Sequence, residues 1–139
     1  MVLATLFLFS CNTKTEQEPT ADQPTVETEV HEHVIDEPLQ LNEGQKWKVD
    51  DNMMVHIAQM EQDIASLDQP KDFEQLSENL NKNLGLLTSN CTMEGQAHDE
   101  LHKWLLPYID LVEAFATDKS VDNYTAIQNS FSTFNTFFK

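Results

Sequence analysis

The chain has 139 residues, with 24 acidic residues against eight lysines, no arginine and a formal net charge of −16. That balance excludes nucleic acid as a partner, because neutralising phosphates takes clustered Lys and Arg, and it disfavours charge-driven docking onto anionic lipid. Missing arginine also removes the usual bidentate clamp for phosphate or carboxylate ligands, and the length suits one domain plus accessory segments.

Residues Val2 to Ser10, VLATLFLFS, are apolar and run directly into Cys11. A membrane-spanning helix needs about 20 apolar residues, so the run fits the apolar core of a secretory signal peptide over residues 1–10 instead. Leu8-Phe9-Ser10-Cys11 resembles the lipobox of bacterial lipoproteins: an aliphatic residue, a variable one, a small one, then the cysteine that is lipidated. Phe9 is bulkier than usual there, and no lysine precedes the apolar run. The resemblance implies a membrane anchor through lipid on Cys11 and a place in the bacterial cell envelope. Asn12 is not the aspartate that retains some lipoproteins at the inner membrane, which favours the outer one. With Cys11 lipidated, Cys91 has no intrachain partner and is a free thiol, a metal ligand or half of an intermolecular bridge.

Residues 11–40 read as a tether. From Asn12 to Gln40 there are eight acidic residues, one lysine, three prolines and almost no large apolar side chain. Such a stretch buries too little apolar surface to offset its ordering entropy, which predicts a disordered, self-repelling spacer. His31-Glu32-His33 within it is an isolated pair of imidazoles.

From residue 41 to 139 the pattern turns helical. Val49, Met53, Ile57, Met60, Ile64 and Leu67 recur at steps of three and four, or near it, and predict a first helix from about Glu43 to Leu67. Asp68-Gln69-Pro70 stops it. A second helix starts near Lys71 or Asp72 with a stripe of Phe73, Leu76, Leu80, Leu84 and Leu87. A third starts around Gln96 or Ala97 with Leu101, Leu105, Ile109, Val112 and Ala116 facing inward. Pro107 should kink it or leave the carbonyl near Lys103 without its helical partner. Trp104, Leu106 and Leu111 lie off that stripe and suggest an exposed patch. A fourth helix carries Val121, Tyr124, Ile127, Phe131, Phe134 and Phe138, with Asp118 or Ser120 as its N-cap. Four amphipathic helices with short loops predict an all-α, up-down-up-down four-helix bundle.

The unusual side chains collect at one end of that bundle. His56 lies seven residues after Val49 and His98 seven before Leu105, so both face the core at 100° per residue. His102 follows His98 by four, which makes the two neighbours on one helix face. Cys91 and Met93 lie just ahead of them, and Met53 and His56 fall at a similar level on the first helix. Thiolate, thioether and imidazole together favour copper(I), with zinc also compatible with Cys plus His. The expected ligands are Cys91, His98 and His102, then Met53, His56 and Met93, with Trp47, Trp104 and the phenylalanines of the fourth helix packed around them. Each also has an ordinary use: the methionines as core filler, the histidines as packed or hydrogen-bonded side chains, Cys91 as a small hydrophobe.

His98-Asp99-Glu100-Leu101-His102 is not the zinc-protease motif, which places glutamate directly after the first histidine. No Cys-x-x-Cys, nucleophile elbow or glycine-rich phosphate loop is present, and nothing in the sequence supports an enzyme. Met53 with His98 or His102 resembles, in ligand type alone, the methionine–histidine pair of four-helix b562-type cytochromes, which makes noncovalent heme b a minor alternative. The phrases around Trp47 and from Cys91 to Pro107 resemble those of small uncharacterised envelope lipoproteins of bacteria, which implies a compartment and no activity. The expectation is therefore a lipid-anchored envelope protein that binds copper or zinc for buffering, sensing or delivery. The alternative is a structural or protein-interaction lipoprotein with no ligand.

Overall fold

Apolar residues at helical spacing build four helices: α1 (Asp51–Ala65), α2 (Phe73–Ser89), α3 (Gly95–Thr117) and α4 (Val121–Phe137). The computed structural model describes residues 37–67 and 72–139, all within the unit His31–Lys139. The expected export segment, Cys11, the expected acidic spacer up to residue 36 with its two histidines, and the helix stop read at Asp68-Gln69-Pro70 lie outside the described residues.

Adjacent helices are antiparallel. The Asn52 amide at the start of α1 donates to the Asn90 carbonyl just past the end of α2. Phe73 at the start of α2 meets Phe115 near the end of α3 edge-on at 5.2 Å. Trp104 Nε1 donates to the Ser130 carbonyl of α4 at 3.0 Å, and the Tyr124 hydroxyl of α4 closes the ring onto the Ile64 carbonyl of α1 at 2.9 Å. The result is the up-down-up-down four-helix bundle that the spacing predicts. α1 and α3 lie diagonally across the core, where the Tyr108 hydroxyl reaches Met60 Sδ at 3.7 Å.

Helix starts follow local chemistry. The Asp50 carbonyl accepts from the Met53 and Met54 N–H groups, and Asp51 sits against the positive end of the helix dipole. Ser120 caps α4, its hydroxyl accepting from the Asn123 N–H at 3.3 Å. α3 stays helical through Pro107, which lies on the exposed face. A missing N–H there removes one backbone bond, and packing on the opposite face holds the helix together.

Two expectations are corrected. The buried stripe of α3 is Leu101, Trp104, Leu105, Tyr108, Val112 and Phe115, while Ile109 and Ala116 are only partly buried. Trp104 is 3 % exposed and cannot belong to a surface patch. It stacks on Tyr108 at 4.9 Å and contacts Phe131 and Phe134 at 5.7 and 4.7 Å. Trp104, Tyr108 and Phe115 carry the largest apolar area on the helix, and their common face turns inward.

The first helix begins at Asp51 and not near Glu43. Residues 37–50 instead run as an extended strap. Asn42 and Gln45 exchange backbone hydrogen bonds of 2.9 and 2.8 Å around Glu43 and Gly44, whose φ angles are 51° and 85°. Two successive positive φ values define a type I′ turn, which no helix can contain. Past the turn, the strap pairs with the end of the chain: the Trp47 N–H donates to the Phe137 carbonyl, the Lys139 N–H to the Trp47 carbonyl, and the Val49 N–H to the Lys139 carbonyl. Trp47 and Val49 are buried from the strap, not from a helix. Glutamate is a poor occupant of the left-handed region, and asparagine a good one. Glu43→Asn is expected to stabilise the turn by about 0.5–1 kcal/mol, read as a two- to fivefold slower amide exchange at Gln45.

Candidate functional site

The bundle end that holds the N-terminus of α1, the C-terminus of α2 and the N-terminus of α3 gathers all six residues singled out for metal binding. α2 stops at Ser89, so Cys91 and Met93 sit in the loop to α3 and not on the α2 face. That loop is tied to α1: the Thr92 hydroxyl donates to Asp50 Oδ2 at 3.0 Å, and Asn52 holds the Asn90 carbonyl. The contact between Met60 and Tyr108 sets the register of the diagonal pair, so Met53, seven residues earlier, falls level with Leu101.

Within this end the six side chains divide. His98 and His102 meet, their ring centroids 4.1 Å apart and tilted by 52°. This follows from their i, i+4 spacing in the first turns of α3. The side chain of His98 is 22 % exposed, and its Nδ1 lies 3.8 Å from the Asp99 carboxylate. His102 and Cys91 are half-buried, with Cys91 a free thiol packed against the core. Met93 is buried, and Met53 fully so. His56 is partly buried beside Ile57, and its alignment with Val49 no longer bears on its direction, because Val49 lies outside the helix.

Among the described residues no three His, Cys, Asp or Glu side chains come together as a metal-holding group. Cys91, His98 and His102 therefore do not form a ready three-ligand set. The pair His98–His102 is what the fold brings together, with the thioether of Met93 and the thiol of Cys91 on the loop leading into the same helix.

One charged residue was missed by sequence reasoning. Glu100, which is not among the inward residues predicted for α3, is 3 % exposed. Its carboxylate accepts from the backbone N–H of Gln40 at 2.9 Å and from Lys103 Nζ at 2.8 Å. A carboxylate survives at that depth only with such partners. The Lys103 ammonium is in turn held above its usual pKa, first by the hydrogen bond to Glu100, against the opposing pull of burial and with further help from Glu37. The i, i+3 pair of Glu100 and Lys103 was legible in the sequence. The strap N–H that completes the arrangement was not.

At the opposite end of the bundle, Asp63, Leu67, Asp72, Gln75 and Asn79 line a shallow groove of about 190 Å³ between α1 and α2. It is open and mixed in polarity. Among the described residues no helix is long and apolar enough to cross a membrane. Comparison with protein-family models, with curated proteins and with solved structures found no match.

Proposed function

We propose that this protein is a lipid-anchored cell-envelope domain that takes up copper(I), with zinc second, at the loop–α3 end of its bundle, for buffering, sensing or delivery. The contact between His98 and His102 carries the reading. Two imidazoles on consecutive turns can share one ion after small rotamer changes, and Met93 and Cys91 supply soft donors from the adjoining loop. Thioether and thiol beside two imidazoles make a soft donor set, which favours copper(I) over zinc. Anchoring rests on the resemblance of Leu8-Phe9-Ser10-Cys11 to a lipobox, and Asn12 after it supports the outer membrane over the inner.

The test is titration of the reduced protein with copper(I) and with zinc, reading metal content and melting temperature together. One tightly bound equivalent is expected, with a stabilisation of about 2.7 kcal/mol at a free metal concentration of 100 times Kd. His98→Ala and His102→Ala should each remove it, and Cys91→Ser should weaken it. Binding that is absent, or indifferent to the two histidines, sinks the reading. Hemin added to the same preparation tests the heme alternative through a Soret band that depends on Met53.

A failed titration leaves the protein-interaction reading. The observation favouring it is that Val55 of α1 is 59 % exposed and Leu86 of α2 39 % exposed, on helices whose register, set by Asn52 and Asn90, brings the two to similar levels.

A further inference from the structure

We propose that residues 37–49 are a latched strap that detaches from the bundle as a unit, with Glu100 as its latch. The proposal is independent of metal binding.

The strap is held by three kinds of contact. Its far end rests on Glu100, through the Gln40 N–H at 2.9 Å. Its middle is folded on itself, the Trp47 indole N–H donating to the Gln40 carbonyl at 2.6 Å across the Asn42–Gln45 turn. Its near end pairs with residues 137–139, the last residue of α4 and the two that follow it. Leu39, Trp47 and Val49 supply its apolar contacts with the core. Asp50 forms the hinge, since its carbonyl already belongs to α1 and its carboxylate is held by Thr92.

Glu100 makes this docking conditional. Seating the strap requires a carboxylate to lose water, which one backbone N–H and one lysine only partly replace. Lifting the strap returns Glu100 to water while Lys103 stays beside it on the same helix, so the open state contains no orphaned buried charge. The other partner of the strap is the stretch 137–139, of which Phe138 and Lys139 lie outside α4. The helices have neither property. Their hydrogen bonds are internal, and opening them exposes the aromatic core. The strap and the helices thus separate into two units of unequal stability. If residues 11–40 act as a spacer, release of the strap adds residues 41–49, up to about 30 Å, to its reach.

The experiment is hydrogen exchange on the full chain, resolved at the Gln40, Trp47 and Val49 amides of the strap and the Val112 and Phe115 amides of α3. The strap amides should exchange at one common rate, at least about tenfold faster than those of α3 and about 100-fold slower than a free chain. Glu100→Ala should accelerate Trp47 and Val49 a further tenfold or more, with α3 unchanged within a factor of two. Gln40→Pro, which removes only the latch donor and leaves the helices untouched, should do the same. Strap amides that exchange at the α3 rate overturn the proposal. So do variants that accelerate α3 equally, fail to fold, or leave Trp47 and Val49 unmoved.

Discussion

Phe115→Ala is expected to lower the unfolding free energy by about 3–5 kcal/mol, the largest loss from any single substitution considered. Phe115 is fully buried near the C-terminal end of α3. Its ring meets Phe73 of α2 edge-on, and Phe73 in turn packs on Tyr124 of α4 at 5.2 Å. Truncation therefore opens a cavity where three helices meet, and the backbones around it are held too firmly to collapse into the space. A domain of this size has only about 5–15 kcal/mol in total, so the variant should unfold at markedly lower urea with an unchanged m-value. A loss below about 1.5 kcal/mol would mean that this end of the core is loosely packed. Phe115→Leu, which keeps most of the volume, should recover more than half of the loss.

The second large effect is alkaline. Tyr108 is fully buried, and burial pushes its hydroxyl well above the ordinary tyrosine range. The acceptor it reaches among the described residues is the weak Met60 sulfur. The folded protein keeps this proton after the unfolded chain has released its own, near pH 10. The unfolded state then binds fewer protons, so stability falls as pH rises above that point, by about 1.4 kcal/mol per pH unit from Tyr108 alone. Below that pH its contribution is complete. Tyr124, raised by burial, and Lys103, raised chiefly by its hydrogen bond to Glu100, act with the same sign. Urea melts between pH 9 and 12 should show the decline, and Tyr108→Phe should make it shallower by about one proton. The hydroxyl has so weak an acceptor that this variant is expected to stay within about 1 kcal/mol of the parent at pH 7. An unaltered slope would mean that another group governs alkaline unfolding.

The candidate site was legible in part. His98 and His102 were paired by their spacing alone, because i and i+4 are neighbours on any helix. The gathering of Cys91, Met93, Met53 and His56 at the same end followed from short loops and antiparallel packing. Their actual depths did not. Cys91 depends on where α2 stops, and His56 on a helix that starts eight residues later than its apolar spacing suggests. Spacing cannot tell a helical residue such as Met53 from a strap residue such as Val49 when both are buried seven or fewer residues apart.

What the sequence by itself determined is what one helix turn can encode: four amphipathic segments, their order, a cap for α4 at Asp118 or Ser120, and the up-down-up-down bundle that short loops require. Tertiary structure alone decided which of two overlapping stripes on α3 turned inward, because that choice compares the areas of Trp104, Tyr108 and Phe115 against surfaces on other helices. It also decided the strap and the burial of Glu100. The acceptor for the Trp47 N–H lies at Phe137, and the N–H that completes Glu100 belongs to a residue 60 positions away. Hydrogen bonds between such distant groups leave no periodic trace, so the pattern from Glu43 to Val49 resembled the start of a helix until the end of the chain came to lie beside it.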